Sequence, residues 1–291
     1  MDVVINLNKP RDISSQQAVL RVKQLFHAKK AGHAGTLDPI ATGVLITCLN
    51  QATKVSRFLS DLDKEYIVGI KLGERTDTGD LTGRILEKKN SLMLEETDIF
   101  NLLKNFVGQI KQIPPMFSAI KIQGQPLYKL ARMGIEIQRP ERLIEIYGID
   151  LIRFDQPYLD LKISCSKGTY IRTLCDDIGK ALHVGAHMIS LKRTKVGNFR
   201  IEDSASLGEL KHAKNAVYAM DSAISHLKEI ILDEESYQKA KNGMPVITIT
   251  AILSAKHIKH YVYVRLKGPE NNLFAIGKLE QDTITVERLL N

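Results

Sequence analysis

The stretch Gly32-His33-Ala34-Gly35-Thr36-Leu37-Asp38-Pro39-Ile40-Ala41-Thr42-Gly43 constrains this chain more than any other segment. Three glycines bracket a single carboxylate, which is followed at once by proline. Glycine admits backbone angles that other residues reach only at a cost. Proline fixes its own φ and biases the preceding residue, here Asp38, towards extended geometry. Such a loop can hold Asp38 in one pose with backbone close on both sides, as a nucleophile or general base requires. A surface turn with an Asp cap carries the same local pattern, so the loop alone leaves both readings open.

At 291 residues the chain is long enough for a full core and is expected to form one large domain and a small one. It begins Met1-Asp2-Val3-Val4-Ile5, acidic and quickly interrupted, unlike a secretory signal, and no apolar run is long enough to span a bilayer. Cys48, Cys165 and Cys175 have neither disulfide-framework nor metal-site spacing and read as reduced, buried residues of a cytoplasmic protein. The net charge of +8 is unevenly spread. From Glu229 to Asn291, 8 basic and 8 acidic side chains cancel, so the whole excess lies in the first 228 residues. A basic main body suits a polyanion such as RNA or DNA, although so small an excess serves solubility equally well.

Residues 3–7 read as a strand ending in the turn Asn8-Lys9-Pro10-Arg11-Asp12. Ser14 and Gln17 have capping-box spacing, and Ala18, Val22, Leu25 and Phe26 form the apolar stripe of the helix that follows. Beyond the glycine loop, the pattern predicts a strand over 44–49, a helix over 53–62, a strand over 66–72 and a further strand over 84–87. A helix is expected over 95–107. Residues 112–142 differ in character, with Pro114-Pro115, scattered glycines, and Phe117 and Tyr128 among basic residues. Between Lys104 and Arg142, seven Lys or Arg stand against two Glu. A basic, aromatic-bearing excursion can grip a phosphate backbone and stack on bases, or can be a solvated loop. Strands are expected over 143–154, 159–165 and 188–196, with helices over 170–182 and 206–212. Beyond residue 229, short strands around Asn242-Gly243-Met244-Pro245 and Lys267-Gly268-Pro269 fit a small barrel of about sixty residues.

The eight His residues are dispersed, without metal-ligand spacing. The glycine loop lacks the Gly-Lys-Ser/Thr ending of a phosphate-binding loop, and no serine has a nucleophile-elbow context. What remains is an isolated carboxylate, basic residues and a few tyrosines. An aspartate can act as a covalent nucleophile if it is ionised and correctly aimed. A neighbouring Arg would oppose the rise in pKa that burial causes, but composition does not say which Arg.

The glycine loop resembles the catalytic motif of the TruB-type tRNA pseudouridine synthases of bacteria. The resemblance continues in order through Leu7-Asn8-Lys9-Pro10, Ala52-Thr53-Lys54, Lys64-Glu65-Tyr66 and Thr76-Asp77-Thr78-Gly79-Asp80. It then runs through Gln112-Ile113-Pro114-Pro115-Met116-Phe117-Ser118-Ala119 and Tyr128-Lys129-Leu130-Ala131-Arg132. Cys165-Ser166-Lys167-Gly168-Thr169-Tyr170-Ile171-Arg172-Thr173-Leu174 and Leu191-Lys192-Arg193-Thr194 complete it, so that most of the first 200 residues are covered.

The resemblance implies an α+β pseudouridine synthase fold, a mixed and largely antiparallel sheet flanked by helices. Its expected division is a catalytic domain over 1–230, with a basic RNA-gripping insertion at about 112–142, and a β-rich PUA-like RNA-binding domain over 231–291. It implies isomerisation of the T-loop uridine of tRNA, position 55 in standard tRNA numbering, to pseudouridine. Asp38 is then the nucleophile, attacking the ribose C1′ or the uracil ring, with Arg172 as its basic partner and Tyr66 against the target base. His33 would take up the space vacated by the flipped nucleotide, and Tyr66, Tyr170 and Leu191 would line the uracil pocket. Lys9 and Lys54 match positions of structural or phosphate-contact type. The reaction needs no cofactor, metal or nucleoside triphosphate.

The expected partner is the T-arm of tRNA, bound by a monomer without an obligatory protein partner. An RNA chaperone and a guide-RNA-dependent pseudouridylase subunit are the alternatives. Three positions depart from the family pattern. Asp12 stands where glycine is usual, which would reshape that turn; Phe117 replaces tyrosine; and Lys192 replaces arginine, keeping charge but losing the bidentate fork.

Overall fold

The computed structural model describes residues 1–247 and 261–290, apart from Asn90, Ala119 and Gln123, and of Lys121 the backbone only. Ala119 of the motif quoted above, and whatever part of the C-terminal barrel falls on 248–260, lie outside the described residues.

Alternating apolar residues build the main sheet, because successive side chains of a strand point to opposite faces. Its first strands are β1 (Val3–Lys9), β2 (Ala31–His33), β3 (Thr42–Leu49) and β4 (Lys64–Leu72). A small hairpin, β5 (Glu74–Thr76) with β6 (Ile85–Lys88), precedes β7 (Gly108–Gln112), and a second, β8 (Lys121–Ile122) with β9 (Gln125–Pro126), follows it. The chain then returns through β10 (Arg142–Asp155), β11 (Tyr158–Cys165), β12 (Ala186–Val196), β13 (Phe199–Arg200) and β14 (Val217–Ala219). In space the order is β14-β1-β3-β12-β4-β11-β10-β7, with β2 beside β3 and β13 beside β12. Among the described residues, β3 with β12 is the one parallel pair of this sheet. The expected mixed, largely antiparallel sheet is therefore present.

Helices α1 (Ser15–Leu25), α2 (Ser56–Ser60), α3 (Glu96–Leu103), α4 (Leu127–Arg132) and α5 (Ile171–Ala181) accompany the sheet. Ser14 caps α1 as its spacing predicts: its hydroxyl accepts from the Gln17 amide at 3.1 Å and the Gln17 side chain accepts from the Ser14 amide at 2.8 Å. One face of the sheet, through Ile5, Leu7, Leu45 and Val68, shares a core with α1, α3 and α5. The opposite face, through Val4, Val44 and Ile46, packs on Phe58 and Leu59 of α2. After α6 (Met220–Ala223) come β15 (Lys228–Ile231), α7 (Glu234–Lys241), β16 (Val246–Ile247), β17 (Val262–Lys267), β18 (Leu273–Glu280) and β19 (Thr283–Leu289). These strands form a second sheet in the order β15-β17-β18-β19-β16, and Ile276 and Leu290 join it to the core around Phe58.

Several local expectations are corrected. Residues 53–62 are not one helix but a 3₁₀ turn, Asn50–Val55, running into the short α2. The helix expected over 206–212 is a series of turns. There the Glu209 carboxylate takes both the Ser206 amide, at 3.0 Å, and the Ser206 hydroxyl, at 2.6 Å. Helix α7 was missed in a region read as strands, although Asp233 caps it, accepting from the Ser236 amide at 2.8 Å. Asp12 adopts φ 66°, the left-handed region that glycine enters without cost and that Asp tolerates, so the departure from glycine is accommodated there. The three cysteines are buried and unpaired; burial pushes the Cys165 thiol up to about 11 and Cys48 up to about 12.

Candidate active site

The loop carrying Asp38 leaves β2 at His33 and enters β3 at Thr42. Its backbone is fastened on several sides. The Ser15 hydroxyl donates to the Leu37 carbonyl and accepts from the Leu37 amide, both at 2.8 Å. The Pro39 carbonyl accepts from the Asp12 amide at 2.8 Å and from the Lys9 ammonium at 3.3 Å. From β12, Arg193 donates to the carbonyls of Val44 at 2.7 Å, Gly35 at 3.1 Å and Thr36 at 3.5 Å. The Asp38 carbonyl accepts from the Ala41 amide at 3.0 Å and closes the turn. Both chain neighbours of Asp38 are thus held in place, more than an unassisted surface turn would require.

Arg172 is the second residue of α5, a helix whose buried side chains Ile171, Leu174, Cys175 and Ile178 follow helical spacing and turn the same flank inward. Its Nε lies 3.0 Å from Asp38 Oδ2, and its Nη2 donates to Asp38 Oδ1 at 3.4 Å, so the guanidinium grips the carboxylate with both arms. The same Nη2 donates to the Phe117 carbonyl at 2.7 Å, and Nη1 donates to the Thr78 carbonyl at 3.2 Å. Nη1 also lies 3.7 Å from Asp80 Oδ2. Asp80 is fixed in turn, its Oδ1 accepting from the hydroxyls of Thr78 and Thr82 and from the Thr82 amide at 2.6–2.9 Å. Arg172 therefore has little freedom to leave Asp38. The Asp38 side chain keeps 32% of its surface open, which leaves room for an incoming group.

Burial raises the Asp38 carboxyl above the ordinary aspartate range, and Arg172 opposes that rise without cancelling it. Tyr66 is buried on β4, directly opposite Arg193 of β12 in the ladder, and Leu191 stands opposite Val68, two residues further along. Tyr66, Val68, Leu191 and Arg193 consequently share one face of the sheet. Burial raises the Tyr66 phenol, Arg193 draws it back, and the Asp38 charge adds to the rise, so Tyr66 is a neutral donor near the carboxylate. Tyr170, at the start of α5, is clamped through its backbone by Gln112, whose side chain accepts from its amide at 2.8 Å and donates to its carbonyl at 3.0 Å. His33 ends β2 with its Nδ1 buried and unpartnered, and burial followed by Arg193 lowers its pKa, which keeps the ring neutral.

The geometry unites Asp38, Arg172, Tyr66, Tyr170, His33 and Leu191 around one loop and its neighbouring strands. Lys9 is wholly buried, donating to the Pro10 and Ile13 carbonyls at 2.8 Å each as well as to Pro39, so it supports the loop and cannot reach a phosphate. Burial lowers its pKa to about 8. Lys54 lies on the 3₁₀ turn Asn50–Val55. Asp80, Gln112, Ser15 and Arg193 escaped the sequence reading as site residues. Each lay inside or beside a quoted motif, but nothing in sequence spacing ties Asp80 or Gln112 to Arg172 or Tyr170. Asp80→Asn is expected to free the far edge of Arg172 and lower kcat roughly 10²-fold, with RNA affinity little changed. Single-turnover kinetics would measure it, and unchanged kcat would remove Asp80 from the site.

The fold is that of pseudouridine synthases that work on RNA. A solved Cbf5–Nop10–Gar1 complex contains a chain 27% identical with a TM-score of 0.76, the match covering 99% of this chain and 85% of that one. A structure of an H/ACA RNP bound to a substrate RNA containing 2′-deoxyuridine matches at 25% identity and TM-score 0.74, with 99% and 85% covered. The profile of the TruB family pseudouridylate synthase N-terminal domain matches residues 23–171, and that of the tRNA pseudouridylate synthase B C-terminal domain matches 172–237. The chain belongs to the TruB family of pseudouridylate synthases. It is similar to tRNA pseudouridine synthase B of Clostridium tetani, 45% identical over 84% of this chain and 86% of that protein. It is also similar to the protein of that name from Haemophilus influenzae strain PittEE, 40% identical over 100% of this chain and 95% of that one.

Proposed function

We propose that this protein is an isomerase that converts the T-loop uridine of tRNA, position 55 in standard tRNA numbering, to pseudouridine, with Asp38 as nucleophile. The observation that carries the reading is the two-armed Arg172–Asp38 pair at 3.0 and 3.4 Å on a loop fastened at both ends. Asp38 attacks the ribose C1′ or the uracil ring, and the N1–C1′ bond breaks. The freed uracil turns, C5 bonds to C1′, the bond to Asp38 breaks and returns its electron pair to the carboxylate, the C5 proton is lost to solvent and N1 ends protonated. No electrons or atoms other than protons are exchanged. Tyr66 lies against the base and assists proton transfer, while Tyr170 and Leu191 line its pocket and His33 fills the space the flipped nucleotide leaves.

The uridine must leave its stack, at a cost of about a few kcal/mol. The basic insertion at about 112–142 offsets that cost by gripping the RNA, and it also reaches the site through Gln112 and the Phe117 carbonyl. Residues 1–230 act as the catalytic domain and 231–291 as a PUA-like RNA-binding domain. With the grip inside its own chain, the protein acts as a cytoplasmic monomer without an obligatory protein partner.

The test is the purified full chain with a bare T-arm hairpin carrying C5-tritiated uridine. Release of tritium and a single pseudouridine mapped to the T-loop are expected. No release from the hairpin, with release restored by a guide RNA and added proteins, would replace this reading with that of a guide-dependent subunit.

A further inference from the structure

Arg193 is 1% exposed, and among the described residues no carboxylate lies within ion-pair distance of it. A guanidinium buried without a counter-charge costs several kcal/mol unless its donors are well used. Here they are spent on backbone carbonyls at two separate places. Nη1 and Nη2 donate to Thr36 and Gly35, where the chain enters the nucleophile loop, and Nε donates to Val44, where it leaves. A lysine ammonium is a single point and could not span both ends, whereas the planar fork of arginine can.

Two loop glycines lie against this residue, and at one of them a side chain would collide with it. Gly35, at φ +101°, has Arg193 Nη1 3.6 Å from where a Cβ would stand. Gly43, at φ +98°, would place a Cβ 2.2 Å from the Arg193 carbonyl oxygen. Arg193 also faces Tyr66 across the β4–β12 ladder. Its positive charge is felt by Tyr66, His33, Lys9 and Lys64, the titratable groups that surround it.

We infer that Arg193 is a positioning residue for the isomerisation, its guanidinium tying both ends of the nucleophile loop to the strand pair that carries Tyr66. The lack of an opposing carboxylate is part of the device. A carboxylate at Arg193 would compete for donors now given to the loop carbonyls, and the loop would be free to drift. The fork holds Asp38 at a set distance from Tyr66 while Arg172 and Asp80 set the direction of its carboxylate.

This inference rests on the proposed isomerase reading, and the experiment separates the two. Arg193→Lys and Arg193→Met are made in the full chain, and kcat and KM are measured on the T-arm hairpin beside the wild type. Melting temperature and amide exchange over residues 35–38 are followed in the same proteins. The expected result is kcat lowered about 10-fold in Arg193→Lys and about 10²-fold in Arg193→Met, KM within about 2-fold of wild type, and faster exchange in the loop. In a Tyr66→Phe background the same substitutions should cost less than in the wild type, since residues acting as a unit are not additive. Unchanged kcat in Arg193→Met overturns the inference. So does failure of both variants to fold, because Arg193 would then serve the fold as a whole. If the wild type itself releases no tritium, the isomerase reading falls. Loop exchange that still quickens in the variants would then keep the loop role, and unchanged exchange would remove it.

Discussion

Asp38→Asn is expected to abolish tritium release from T-arm RNA, lowering kcat by about 10⁴-fold or more while hairpin affinity stays within a few-fold of wild type. The amide keeps the shape and can still accept from Arg172, so a loss of rate without a loss of binding isolates the missing nucleophile. Wild-type turnover by Asp38→Asn would end the nucleophile assignment. The wild-type pH profile carries a linked expectation. Burial raises the Asp38 pKa, so kcat/KM should fall with acidification from above the unperturbed value of about 3.9, the side on which the carboxylate is lost. The sign for stability is the reverse. A carboxyl whose pKa is higher folded than unfolded contributes most below the unfolded value and loses that contribution as pH rises through the folded one. Asp38→Asn should therefore melt no lower than wild type at pH 7, and a clear drop there would show that the Arg172 pair outweighs burial.

Gly43→Ala is the second large effect, and it acts through packing. At φ +98° an L-residue is strained by about 1–2 kcal/mol. The new methyl also meets the Arg193 backbone, at 2.2 Å from its oxygen and 3.0 Å from its carbonyl carbon and nitrogen. Those atoms belong to the parallel β3–β12 pair and cannot swing aside as a flexible side chain would. Overpacking of this kind costs about 1–3 kcal/mol more, so the sum should be about 2–5 kcal/mol in urea unfolding. Because the strand that must move carries Arg193, kcat should fall roughly 10²-fold even where the protein stays folded. Gly168→Ala is the control: φ is +82°, but nothing stands within 4 Å of its Cβ position. It should show only the strain of about 1–2 kcal/mol. Equal losses in the two variants would mean that the close approach at Gly43 is not what matters there.

Much of the fold was legible because its signals are local. The Ser14–Gln17 box, the alternation of β4 and β11, the apolar run of β3 and the apolar flank of α5 are each written within a dozen residues. The errors arose where a capping pattern opened turns and no helix, as at Ser206 and Glu209, or where one expectation hid a cap, as at Asp233. Of the site, Asp38 was legible as a carboxylate in an unusual loop, and resemblance supplied Arg172 and Tyr66 as its companions. Asp80 was not legible, since an Asp amid threonines and glycines is ordinary turn chemistry until an arginine is found behind it.

By itself the sequence determined the mixed sheet, the family and the loop in which the nucleophile candidate stands. It could not determine what that loop rests on. Arg172 reaches Asp38 across 134 positions, and Arg193 reaches Val44 across 149. Neither separation leaves a periodic or local trace, because such contacts depend on which strands become neighbours and not on what lies nearby in the chain. The parallel pairing of β3 with β12 brings Gly43 against the Arg193 backbone and turns the Arg193 guanidinium towards both ends of the loop. One of the three opening glycines, Gly43, is thereby explained by close packing against the Arg193 backbone, a reason that exists only once the sheet has formed.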